Sequence, residues 1–131
     1  MNNIDIRFLR VAAIYLLVGM GLGIFMGIAG DHRLFPAHAH VNLVGWVSFA
    51  LYGLVYRAYP SAARAMWARI HFWIANVGAL LLSVGVFGIN AGYEQFVPFA
   101  AAGGILNIVA AVIFTAILFA KASAPESEVT R

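Results

Sequence analysis

Polar residues along this chain fall in a few short stretches, and four long apolar segments run between them. At roughly 20 apolar residues per bilayer crossing, the pattern predicts four membrane-spanning helices at about residues 8–29, 37–59, 65–90 and 97–120. Short polar or Pro/Gly-bearing connections separate them, which suits antiparallel neighbours in a helical bundle. The first segment ends in Gly27-Ile28-Ala29, a small-x-small pattern like a signal-peptide cleavage site. Its apolar run exceeds the roughly 7–15 residues of a signal peptide, so it reads as a helix. The expected fold is an all-α integral membrane protein. A four-helix transmembrane domain covers residues 1–122, and a small, polar, disordered tail covers 123–131.

Composition agrees. The 131 residues are 63% hydrophobic and 10% charged, whereas a soluble domain carries about 25% charged residues. Without cysteine there is no disulfide framework, no thiolate metal site and no covalent haem attachment through Cys-x-x-Cys-His. The net charge of +3 does not point to nucleic acid, because the cations sit at helix ends as topology signals. Arg7 and Arg10, then Arg57, Arg64 and Arg69, then Lys121 and Arg131 fall on one side, and Arg33 alone falls on the other. That asymmetry predicts cytoplasmic termini and a multi-pass protein of the bacterial inner membrane. The connections 30–36 and 91–96 then face outward.

The chemistry concentrates at Ala37-His38-Ala39-His40, at the outward mouth of the second helix. Imidazole is costly at the edge of a bilayer core and is the commonest metal ligand among side chains. Residues two apart on a helix point about 200° apart, so His38 and His40 suit two sites on opposite flanks. Asn42, one turn below His38, is placed to bond a ligand edge or another helix. Arg33 is placed to pair a haem propionate or to stand as an ordinary interfacial cation. Gly19, Gly23 and Gly27 recur every four residues, which admits close approach of another backbone or a flat ligand such as a porphyrin. Three roles fit the pair: polar capping behind Pro36, a copper or zinc site helped by His32, or axial ligation of haem between helices. His71 starts the third helix about 30 Å away, across the bilayer, and reads as an interfacial or packing residue.

The run Ala37-His38-Ala39-His40-Val41-Asn42-Leu43-Val44-Gly45, continuing to Tyr52-Gly53-Leu54 and Tyr59-Pro60, resembles a helix of haem–copper oxidase subunit I that carries a His-x-His motif. Ala68-Arg69-Ile70-His71-Phe72-Trp73 through Gly78 resembles the start of the helix that follows it. The resemblance covers about residues 36–78. It implies that His38 and His40 are axial ligands of two different haems, one on each flank. The family's copper ligands come from helices with no counterpart here, which leaves enzymatic activity open. The resemblance also implies one four-helix unit of a threefold-repeated fold, so a homotrimer would rebuild a ring of about twelve helices. Haem b, respiratory electron transfer, and a quinol or periplasmic cytochrome as donor follow as expectations. Copper or zinc binding, and a cofactor-free structural or assembly subunit, are the other classes.

Overall fold

The structure, a computed structural model, describes residues 3–121; the tail expected at 123–131 lies outside them. Helix dominates, and no strand occurs among the described residues. Helix α1 runs Ile4–Ala29 and stops at Gly30, whose left-handed φ of 63° is the ordinary glycine helix end. Helix α2, Phe35–His40, opens with proline in its first turn, where a missing N–H costs nothing. It passes into a π-helical segment, Val41–Val47, and then into α3, Ser48–Ala58. These three pieces form one span. A short α4, Pro60–Ala63, turns the chain into α5, Met66–Asn90. A 3-10 turn, Glu94–Phe96, leads into α6, Val97–Lys121.

Four helices are therefore long and apolar enough to cross a membrane, at Ile4–Ala29, Phe35–Ala58, Met66–Asn90 and Glu94–Lys121. This is the composition and architecture of a multi-pass membrane protein. Three predicted segments match closely. The first helix begins four residues earlier than expected, because Asp5 sits favourably in its first turn. Ile4 and Phe8 are also buried there. Hydropathy alone does not register a helical turn beyond the apolar core.

Antiparallel packing follows from glycine. Helix α1 lies along the second span, α6 lies along α5, and the second span meets α5. Gly85 faces the Ala100 backbone and Gly103 faces the Leu82 backbone, so α5 and α6 touch main chain to main chain. Gly53 receives Leu9 and the Asp5 carbonyl oxygen, and Gly45 receives the Tyr15 ring. Both described chain ends lie at one end of the bundle. There Arg57 Nη1 is 3.7 Å from Asp5 Oδ2, and the Ser61 hydroxyl donates to the Lys121 carbonyl.

All four spans meet at one aromatic cluster. Phe8 of α1, Tyr52 and Tyr56 of α3, His71 of α5 and Phe114 of α6 pack ring against ring, with centroids 4.5–5.8 Å apart. Elsewhere in the spans, Ser, Thr and Asn donate back to a carbonyl of their own helix. Asn42 bonds His38, Ser48 bonds Leu43, Asn76 bonds Phe72, Asn90 bonds Val86, Asn107 bonds Gly103 and Thr115 bonds Ala111. In a bilayer, with no water to serve them, this is how such groups are satisfied. Ser83 is the exception: it is buried, and its hydroxyl has no partner among the described residues.

Candidate imidazole ligand site

His38 and His40 stand in the last turn of α2, directly before the π-helical segment. Both are half-buried. His38 turns onto α1, where its Nδ1 lies 2.9 Å from the Gly19 carbonyl oxygen. A carbonyl only accepts, so Nδ1 carries the proton and donates. The nearby Asn42 amide nitrogen, 3.3 Å from the same Nδ1, is also a donor. It therefore does not bond the ring but donates to the His38 carbonyl oxygen at 2.8 Å. The Asn42 amide N–H thus serves its own helix.

His40 follows the same rule on different partners. Its Nδ1 donates to the Pro36 carbonyl oxygen at 2.7 Å. Pro36 occupies the position one turn earlier, so the bond is local. Both imidazoles therefore have Nδ1–H anchored to backbone, which in the neutral ring leaves the lone pair on Nε2. Neither Nε2 has a hydrogen-bond partner among the described residues. An imidazole that ligates a metal characteristically donates its other N–H to a carbonyl or carboxylate, which fixes tautomer and orientation.

Two glycines of the α1 ladder receive side chains of the second span. A Cβ on Gly19 would run into the Asn42 amide, at 2.5–2.8 Å, and one on Gly23 would press on His38 Cε1 at 3.1 Å. Gly23 is thus a seat for the imidazole edge. Gly27 and Gly21 face open space. Arg33 is exposed and forks onto Asp31 within the loop, with Nη2–Oδ2 at 2.7 Å and Nε–Oδ1 at 3.1 Å. That hydrogen bond holds the Asp31 carboxyl below its ordinary pKa. Asp31 engages Nε and Nη2 of Arg33, which leaves the Nη1 donors free.

His71 does not join this site. It is fully buried in the aromatic cluster, with Nδ1 2.9 Å from the Tyr56 hydroxyl and Nε2 unpartnered. Of its two expected roles, packing is the one the structure displays. No group of three or more His, Cys, Asp or Glu side chains converges anywhere among the described residues. Sequence reading missed the Gly19 carbonyl as the anchor of His38. The small-residue ladder marked α1 as open to close approach, but which carbonyl receives the ring depends on how α1 crosses the second span.

The fold and site define a four-span membrane protein with two backbone-anchored, Nε2-presenting imidazoles at one end of its second span. No protein-family model matches the chain, and no curated protein or solved structure matches it either.

Proposed function

We propose that this protein binds haem b in a bacterial inner membrane through His38 and His40 and passes electrons through it, as a small relative of haem–copper oxidase subunit I. The observation that carries the reading is the matched state of the two imidazoles. Both donate Nδ1–H to a backbone carbonyl and leave Nε2 without a partner among the described residues, so these two imidazoles would hold the iron. Within one copy, the donor set favours haem over copper or zinc bound by side chains alone. A bare ion needs three or four protein ligands, and no such group converges among the described residues. A porphyrin brings four nitrogens of its own and asks the protein for one or two imidazoles. When bound, haem supplies one-electron chemistry whose potential the axial ligands and surrounding dielectric set.

The opposed directions of the pair keep His38 and His40 of one copy off a common iron. A bis-imidazole site then takes His38 from one copy and His40 from a neighbour. A closed homotrimer satisfies every copy equally. Positive-inside charge puts the termini in the cytoplasm and the site near the outer face, within reach of a membrane quinol or a periplasmic cytochrome.

Absorption spectra of the purified protein, oxidised and dithionite-reduced, test this beside His38→Ala and His40→Ala. The expected result is a Soret band with sharp reduced α and β bands, converted to high-spin character or lost in each variant. No Soret band from haem-replete cells would reject the reading and turn attention to copper and zinc analysis.

A further inference from the structure

The groove between α1 and α5 has an apolar wall and a basic mouth. Its volume is about 630 Å3, and Val18 of α1 and Val77 of α5, which line it, are both exposed on the outside of the bundle. Asn76 also lines it, but the Asn76 amide N–H is already bonded to the Phe72 carbonyl. On α1 the lining runs from Val11 to Leu22, about 16 Å along the axis, and on α5 from Trp73 to Phe87, about 21 Å. Each length exceeds half of the ~30 Å hydrocarbon core and falls short of the whole. The groove therefore suits a chain from one leaflet better than a second spanning helix.

The helical register then puts charge at one end of it. Arg7 and Arg10 stand four residues before Val11 and Ile14, and Arg69 stands four residues before Trp73. Residues four apart share a helix face, so these cations continue the lining of the groove by one turn. Both helices begin at this end, where Phe8 of α1 meets Phe72 of α5 with ring centroids 5.0 Å apart. Helical side chains lean toward the N-terminus, which here is away from the apolar zone. Arg7, Arg10 and Arg69 are all exposed. Neither ion pair among the described residues involves them, since Asp5 faces Arg57 and Asp31 faces Arg33.

We propose that this groove binds an anionic glycerophospholipid, with an acyl chain along the apolar wall and the head-group phosphate at Arg7, Arg10 and Arg69. Guanidinium takes phosphate through two parallel hydrogen bonds. Three cations without carboxylate partners call for more negative charge than a zwitterionic head group carries. A soluble anion would leave the apolar wall bare, and a plain hydrocarbon would leave the cations unmet. Topology signalling alone asks only for cations on one side of the membrane, not for cations in line with a groove. The site uses no atom of His38 or His40, so it does not rest on the haem reading.

The test is native mass spectrometry of the full-length protein in mild detergent, titrated with dioleoylphosphatidylglycerol or with dioleoylphosphatidylcholine. The acyl chains are identical, so only the head group differs. Wild type is expected to hold the anionic lipid at least about fivefold more tightly, the effect of about 1 kcal/mol from one cation near a lipid surface. Arg7→Gln and Arg69→Gln should each lower that affinity about fivefold and leave the choline lipid unchanged. Lys121→Gln, at the same end of the bundle on α6, should change neither. Val77→Trp, which fills the groove from an exposed position, should weaken both lipids. Equal affinity for the two lipids in wild type would overturn the site. An equal loss in Lys121→Gln would mark a diffuse surface charge and would overturn it too. So would undiminished lipid binding in Val77→Trp, with or without a changed oligomeric state, since the groove would then hold a second copy or nothing.

Discussion

Two histidines in this chain do opposite work, and their hydrogen bonds tell them apart. His38 is half-buried, anchored through Nδ1 to the Gly19 carbonyl, with no partner on Nε2 among the described residues. His71 is sealed among aromatic rings and bonded to Tyr56. Its Nε2 has no hydrogen-bond partner among the described residues, and the Tyr52 ring lies edge-on to the imidazole with centroids 4.5 Å apart. A π-face is a weak acceptor, so the Tyr56 bond is the main satisfaction His71 has. Tyr56→Phe is expected to cost about 1–3 kcal/mol, the penalty for stranding a buried polar atom. Adding His71→Leu on that background should recover most of the loss, because an apolar pair leaves nothing unmet. Unfolding midpoints in mild detergent with graded denaturing detergent measure both. A Tyr56→Phe protein as stable as wild type would show that the bond contributes nothing. At the other site, Gly23→Val should push on the imidazole edge and weaken ligand binding at His38, read as loss of Soret intensity. Gly27→Val, in open space, should not. The His pair was legible in the sequence because intramembrane imidazole is rare. The anchors of each ring were not, since which carbonyl lies open depends on how α1 crosses the second span.

At the level of elements, hydropathy read the four spans well because chain length and bilayer thickness leave few alternatives. It did not reveal the π-helical segment Val41–Val47, where the Ser48 backbone N–H bonds the Leu43 carbonyl and the Ser48 hydroxyl accompanies it at 2.7 Å. A wider turn of this kind has no composition signature, and π-turns often sit at functional positions. Here it follows the imidazole pair directly and resets the phase of α3, so that Gly45 faces Tyr15 while Phe49 and Tyr56 enter the core. The glycines of α5 and α6 were visible as a small-residue pattern, but only the fold says which ones touch. Gly103 lies against the Leu82 backbone and Gly104 against nothing within 4 Å. Gly103→Leu is therefore expected to part the two helices and cost at least the ~1–3 kcal/mol of an overpacked core. Gly104→Leu should stay within about 0.5 kcal/mol of wild type. Equal losses in the two variants would deny the main-chain contact.

For the whole molecule, the account turns on what one copy lacks. Its second span turns the His38 ring onto α1 and carries His40 about 200° round an ideal helix, while no group of three potential ligands converges among the described residues. Large apolar side chains such as Leu17, Ile28, Leu43 and Phe119 remain exposed, as surfaces that meet lipid or further copies of the chain must. The proposed symmetric ring would join these facts: each interface would bring His38 and His40 together from different copies. The charged loop at that end adds little binding strength by itself, since Arg33 and Asp31 are both solvent-accessible and an exposed pair contributes about 0–1 kcal/mol. The most direct measurement is native mass spectrometry of the protein released from mild detergent, counting chains and haems in one particle. The account predicts three chains with three haems, falling apart together in His38→Ala and in His40→Ala. A single chain carrying its full complement of haem would contradict it.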